Sequence, residues 1–216
     1  MTSILGLWAA LVLGAYLLGA VSFSLLIVRA LRGIDVRTVG SGNAGATNVL
    51  RTAGVKPALA VLVLDVTKGV LPVLIARALE APGPVVGATA VAAVVGHVLP
   101  VYYGFQGGKG VATATGALAS LAPLAALASA GVFALVVAAT RTLSLASISA
   151  IGLFPVLIYA GSRAGWTSPS PAWLLASAAA VAVLVVFMHR DNVRRLIDGS
   201  EHRLGEPRAD EPEEDG

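Results

Sequence analysis

The sequence predicts an all-α protein, a polytopic transmembrane bundle of seven helices with one of them short, N-terminus outside and C-terminus inside. Three observations predict it. Of 216 residues, 56% are hydrophobic and only 12% charged, against about 25% charged in an ordinary soluble domain. The mean hydropathy is +0.83, and a chain of this size cannot hide that much apolar surface from water. The apolar residues also fall into long uncharged runs separated by short polar patches. A soluble globule is excluded, and residues 1–203 read as one membrane domain. The 24 Gly and 11 Pro show no collagen period. Cys is absent, which excludes disulfides, thiolate-bound zinc and a Cys nucleophile.

The first crossing is the uncharged run from Ile4 to Val28, long enough to span with some tilt. It has no basic n-region and is longer than a signal-peptide core, so it reads as a retained helix. Arg29, Arg32, Arg37, Arg51 and Lys56 follow, which makes that loop cytoplasmic. A second crossing starts near Pro57, a first-turn residue, and ends about Leu79. The turn Glu80–Pro84 is external, and a third crossing, Val85–Val101, returns to the inside. The last apolar block, Ala172–Met188, ends in His189-Arg190 with Arg194, Arg195, Arg203 and Arg208 beyond, also inside. Parity then requires an even number of crossings between Lys109 and His189. Pro123 supplies the break: a short helix over Val111–Ala122, about 18 Å long, then Leu124–Ala139, Arg141 inside, and a sixth crossing that leaves Gly161–Pro171 outside. A six-helix arrangement puts the last basic patch opposite the first two, against the charge bias. Residues 204–216 read as a disordered acidic tail, rich in Asp and Glu from Glu206 on.

Polar residues gather in three patches. The first, GSGNAGATNVLR from Gly40 to Arg51, mixes glycines with Ser41, Asn43, Thr47 and Asn48. Glycines such as Gly42 permit turns whose N–H groups converge on an anion, and Arg51 can grip a phosphate bidentately. A plain connector needs fewer glycines and fewer hydrogen-bonding side chains. The second patch runs from Gly96 to Thr113, where Gly107-Gly108-Lys109-Gly110 opens into a helix whose N-terminus favours an anion. It is not a Walker A loop, because Tyr103 and Gly110 stand where Gly and Ser/Thr are required. His97 reads equally as a buried neutral imidazole or as a supporting catalytic group. The third patch, His189 to Gly205, has His189 and Asn192 at i, i+3 on an interfacial segment, whose arginines can also bind anionic lipid. Asp65 and Lys68, i, i+3 inside a crossing, read either as functional groups or as an ion pair holding the bundle. Arg141 precedes Ser144 and Ser147 at a helix start on the same side as the patches.

Three anion-friendly patches at one face imply a phosphate-bearing substrate handled at the membrane surface. Nucleic acid is excluded by the lack of a basic stripe with aromatics. No metal is expected, since His97, His189 and His202 lack ligand spacing. A His-x-x-x-x-Asp acyltransferase is excluded, because Tyr102, Arg194 and Pro207 occupy the Asp positions. An anion transporter is the alternative, although the chain shows no inverted repeat; a lipid-binding scaffold leaves Lys109 and its glycines unexplained.

GSGNAGATNVLR, GHVLPVYYGFQGGKGVAT and HRDNVRRLIDGSE resemble, in order and spacing, the three signature segments of the bacterial acyl-phosphate:glycerol-3-phosphate acyltransferases. The likeness extends to about Glu201. It implies an integral enzyme of the bacterial inner membrane, active at the cytoplasmic face. The reaction would move a fatty acyl group from acyl-phosphate to the 1-hydroxyl of glycerol 3-phosphate, giving lysophosphatidic acid and phosphate in the first acylation of phospholipid synthesis. It implies no cofactor, no acyl-CoA or carrier-protein donor, and a monomer. Ser41, Asn43 and Arg51 match positions used on substrate phosphates, with Gly42, Thr47 and Asn48 in the same segment. Lys109 with Gly107, Gly108 and Gly110 matches the glycerol-phosphate segment. His189 and Asn192 match positions near the reacting groups. Ser144 and Ser147 are expected to bind substrate, and Lys68, His97, Arg141 and Glu201 to support the site. For this family the acceptor's own phosphate has been proposed to help take the hydroxyl proton. Acyl-phosphate is already activated, so positioning and charge stabilisation suffice. Ser41 has no adjacent base in sequence, so direct transfer is expected.

Overall fold

The computed structural model describes residues 2–165 and 171–205, and these are helical with no strand. In chain order the helices are α1 (Thr2–Gly19), α2 (Phe23–Arg32), α3 (Ala46–Ala53), α4 (Val55–Ala78), α5 (Gly83–Val98), α6 (Val111–Leu121), α7 (Pro123–Thr140), α8 (Leu143–Gly152), α9 (Phe154–Arg163), α10 (Ala172–Met188) and α11 (Arg190–Ile197). Single 3-10 turns cover Val36–Thr38 and Val101–Tyr103. Four stretches are long and apolar enough to cross a membrane: Ser3–Arg32, Val55–Ala78, Gly83–Tyr103 and Pro123–Thr140. The bent pairs α8–α9 and α10–α11 raise the number to as many as six, and α6 is a shorter apolar helix.

The surface of this bundle is apolar. Leu127, Leu135 and Val183 each leave about 70% of their surface exposed, which suits lipid and not water. The core lies around α6, where Thr113, Ala114, Ala117 and Leu118 are fully buried among α4, α5, α8 and α10. With lipid tails outside, helix association depends on close backbone contact. At Gly69 of α4 and Gly116 of α6 a Cβ would collide with the Thr113 and Val66 carbonyls of the facing helix.

Several expected boundaries shift. The run from Ile4 to Val28 is not one helix: α1 stops at Gly19, α2 starts at Phe23, and the freed Val21 carbonyl accepts from Lys68 Nζ at 2.7 Å. The break at Pro123 is present, with α6 ending at Leu121 and α7 starting at Pro123. Eleven residues give α6 a length of about 16 Å. At its end Arg77 Nη2 donates to the Leu121 carbonyl at 3.3 Å. The sixth apolar block is bent by 42° between α8 and α9. Pro155 sits in the first turn of α9, where it can neither donate nor continue α8 smoothly. Helix α9 takes in the first residues of the expected Gly161–Pro171 loop, while residues 166–170 and the tail from Glu206 lie outside the described residues.

Candidate active site

The first patch is half loop and half helix. Asn48 of α3 is buried, and its amide organises the loop before it. Its Oδ1 accepts the Ser41 N–H at 2.9 Å, and its Nδ2 donates to the Val36 and Val39 carbonyls at 2.8 and 3.0 Å. Arg37 fastens this loop to the next patch. Its Nε and Nη2 pair with Asp35, while Nη1 donates to the Tyr103 carbonyl at 3.1 Å and the Gln106 carbonyl at 3.4 Å. The Arg37 guanidinium holds the Asp35 carboxyl below the usual carboxylate range.

The second patch packs on the end of α5. Gly108 donates its N–H to the His97 carbonyl at 3.2 Å. It fits between the His97 ring and the Ala44 carbonyl, both of which a Cβ would strike. Gly110, at φ +84°, makes the left-handed turn that starts α6. Between them Lys109 reaches across to α11, and its Nζ donates to Asn192 Oδ1 at 2.5 Å.

The third patch turns by 58° between α10 and α11, with His189 as the joint. His189 Nδ1 lies 2.7 Å from the Val185 carbonyl. A carbonyl only accepts, so Nδ1 carries the proton, and in the neutral ring Nε2 keeps its lone pair. Asn192 Nδ2 donates to Glu201 Oε1 at 2.6 Å, and Arg195 Nε donates to Glu201 Oε2 at 2.7 Å. The segment after α11 folds back on the bundle, and Leu204 donates its N–H to the Arg141 carbonyl at 2.8 Å.

These elements enclose a cavity of about 370 Å³, within the usual size of a small-molecule site. Ser41, Asn43, Thr47, Arg51, Lys109, Ser144, Ser147, His189, Asn192 and Glu201 line it, joined by Leu143, Asp191, Arg195, His202 and Leu204. Burial pushes the Lys109 ammonium below its usual value, and the charge of Arg195 adds to this. Burial would raise the Glu201 carboxyl, but the nearby Ser144 hydroxyl and the donors Asn192 and Arg195 outweigh it and hold the group below its usual value. Among the described residues the buried Ser144 hydroxyl has no partner in hydrogen-bond geometry. A second, apolar cavity of about 380 Å³ lies between α4, α6, α7 and α8, lined by residues such as Val66, Phe133, Ile151 and Phe154. Ser147 lines both cavities.

Other expected site residues stand off the wall. Asn48 spends both amide hydrogens on the backbone and shapes the Ser41 loop. Gly42 turns that loop at φ +69°. Gly107 and Gly108 pack on the end of α5 and Gly110 caps α6, so all three aim Lys109 without lining the cavity. Lys68 and His97 are buried deeper in the bundle. Arg141 ends α7, and its carbonyl, not its guanidinium, holds Leu204. Arg195 was legible as a site residue, since it falls three after Asn192 on the same helix face; Asp191, His202 and Leu204 carry no such signal. Among the described residues no group of three or more His, Asp or Glu side chains could hold a metal ion.

Comparison with known proteins adds a family to this geometry. A family model described as glycerol-3-phosphate acyltransferase matches residues 9–199. A glycerol-3-phosphate acyltransferase of Halalkalibacterium halodurans is 46% identical over 198 residues, covering 90% of this chain and 94% of that protein. One from Geotalea daltonii is 45% identical over 192 residues, covering 89% and 95%. The fold is similar to the crystal structure of PlsY (YgiH), an integral membrane glycerol 3-phosphate acyltransferase. Its glycerol 3-phosphate form is 41% identical with a TM-score of 0.84, covering 92% of this chain and 96% of that one. Its lysophosphatidic acid form is 40% identical with a TM-score of 0.82, covering 92% and 95%.

Proposed function

The chain belongs to the glycerol-3-phosphate acyltransferase family, and from that premise we propose that it transfers a fatty acyl group from acyl-phosphate to the 1-hydroxyl of glycerol 3-phosphate. The observation that carries this reading is the meeting of a cationic polar cavity and an apolar cavity at Ser147. A donor with a phosphate head and a fatty chain needs both at once. The acyl chain lies in the apolar cavity between α4 and α8. Its phosphate and that of the acceptor share Lys109, Arg51 and the polar groups Ser41, Asn43 and Thr47. Ser144, with its buried free hydroxyl, orients the phosphate end of the donor.

The transfer is a single displacement. The acceptor oxygen bonds to the acyl carbonyl carbon, the carbon–oxygen bond to phosphate breaks, and phosphate leaves with the electron pair. His189 Nε2 accepts a hydrogen bond from the attacking hydroxyl, whose proton passes to a phosphate oxygen of the acceptor and from there to the departing phosphate, and the Asn192–Lys109 pair stabilises charge as it grows. Glu201 and Arg195 hold Asn192 in the one orientation that presents its oxygen to Lys109.

Purified protein incubated with labelled glycerol 3-phosphate and acyl-phosphate is expected to form lysophosphatidic acid and release phosphate. Acyl-CoA in place of acyl-phosphate is expected to give none. Absence of lipid product, with labelled anion instead crossing sealed vesicles, would overturn the reading in favour of a transporter.

We further infer seven crossings in the inner membrane, with α6 as the short one, the N-terminus outside and the cavity at the cytoplasmic face. Arginines cluster after α2 and on α11, as the positive-inside rule requires of cytoplasmic segments. Single cysteines at Thr38, Gln106 and Arg194 in this Cys-free chain are expected to resist an impermeant thiol reagent added to intact cells. A cysteine at the exposed Glu80 is expected to react. Reaction at Arg194 without reaction at Thr38 would restore the six-crossing arrangement.

A further inference from the structure

Three polar side chains lie inside the bundle, off the cavity, with no part in the displacement. Asp65 and Lys68 of α4 are each 2% exposed, with Nζ 2.8 Å from Oδ1. Lys68 also donates to the Val21 carbonyl at the break between α1 and α2, and its Nζ stands 5.5 Å from the centre of the Phe23 ring. His97 of α5 has its Nδ1 3.7 Å from Asp65 Oδ1 and without a hydrogen-bond partner. An ion pair stripped of water gains little stability over apolar residues of similar volume. Ionisable groups at membrane depth are rare and mark function. Holding the bundle together is therefore a weak account of this cluster.

What rests on the cluster is the second glycine loop. The other side of the His97 ring stands against Gly108, and the His97 carbonyl takes the Gly108 N–H. On the far side of Gly108 lies the Ala44 carbonyl of the first patch. The next residue, Lys109, reaches Asn192. One turn along α4 from Asp65, Gly69 touches the Thr113 carbonyl in the first turn of α6. Asp65, His97, Gly108 and Lys109 are thus linked in series, and α4 also abuts the helix that Lys109 precedes.

We propose that Asp65 is a positioning residue for the acceptor site. With Lys68 anchoring it and His97 as the intermediary, it sets the seat of Gly108 and so the reach of Lys109. The inference rests on Lys109 being a phosphate ligand. It differs from a packing role because its effect falls on one substrate.

Two variants test it in the full-length protein. Asp65→Asn keeps the shape and removes the charge. Asp65→Glu keeps the charge, moves the carboxylate by one methylene, and preserves a folded protein should Asn not. In each folded variant KM for glycerol 3-phosphate is expected to rise about ten- to a hundredfold, the scale on which small misplacements act, while KM for acyl-phosphate stays at the wild-type value. Hydrogen exchange in the segment Gly107–Lys109 is expected to quicken with exchange in α7 unchanged. A purely structural role lowers the unfolding temperature and leaves both KM values and the loop's exchange at wild-type levels in the folded protein, and that result would overturn the proposal. Equal loss with both substrates would overturn it as well. If wild-type protein makes no lysophosphatidic acid, the acyl-transfer reading fails instead, and the exchange measurement still decides whether Asp65 holds the loop.

Discussion

Replacing Lys109 by Ala is expected to cut acyl transfer about ten- to a hundredfold, since a charged hydrogen bond to phosphate is worth about 1.5–3 kcal/mol. The protein should still accumulate in the membrane and unfold at the wild-type temperature. Gly108 and Gly110 fix the backbone on either side of Lys109 through His97 and the start of α6, so the loop does not depend on the lysine side chain. The side chain reaches into the cavity and binds Asn192. Its removal takes away a cation that faces the polar cavity and leaves the Asn192 oxygen without its donor. Arg at this position restores charge with a larger planar fork and should recover only part of the rate. The pH dependence has a definite sign. Burial and Arg195 hold the ammonium below its usual value, so the cation is complete below that lowered value and is lost as pH rises through it. The alkaline rise in KM for glycerol 3-phosphate should begin below the ordinary lysine range. Wild-type turnover and KM in Lys109→Ala would refute the assignment.

His189→Ala is expected to slow transfer by about 10²–10³, the scale for losing one group that acts on the transition state. No acyl group should become attached to the protein. His189 is buried at the joint of α10 and α11, and the Val185 carbonyl fixes its tautomer. Ser41 is exposed on its loop, with its N–H held by Asn48, and no base is bonded to its hydroxyl among the described contacts. Ser41→Ala should therefore raise KM more than it lowers kcat. Mixing the enzyme with labelled acyl-phosphate alone, quenching in acid and searching by mass spectrometry tests the point. A stoichiometric adduct on Ser41 that glycerol 3-phosphate discharges would establish a two-step, ping-pong route and refute direct transfer.

The helices were legible where composition changes and hidden where it does not. The charged loop after α2, the Glu80 turn and Pro123 are local signals, and each marks a boundary in the structure. The breaks at Gly19–Phe23 and Gly152–Phe154 run through uncharged sequence, with Ser22 the one polar residue at the first. The first is matched by Lys68, distant in sequence, taking up the Val21 carbonyl. The second needed more weight on Pro155. Polar side chains are conspicuous in so apolar a chain, so Ser41, Arg51, Lys109, His189 and Asn192 could be named in advance. Which way a polar residue in a glycine-rich run points is set by tertiary contacts. Asn48 turns inward to hold a loop, and nothing in GSGNAGATN separates it from Asn43. Glu201 and Leu204 enter the cavity because a backbone bond to Arg141 folds their segment back, a contact between residues more than sixty apart in sequence. Arg195 shares a helix face with Asn192, yet its own partner, Glu201, lies beyond the helix, where no spacing along the helix shows it.

The short length of α6 bears on how the protein is made. The eleven residues of this apolar helix fall well below the roughly 20 needed to cross a bilayer. During synthesis the segment cannot settle in lipid by itself, because its terminal peptide groups would face hydrocarbon unpaired. Only Ala122 separates it from α7, whose 18 residues are long enough. The two therefore enter as a helical hairpin, with α7 supplying the drive. In the folded bundle Arg77 of α4 meets the end of α6. Lys109, in the turn just before α6, is therefore expected to reach its position only when the preceding spans are in place to receive the hairpin.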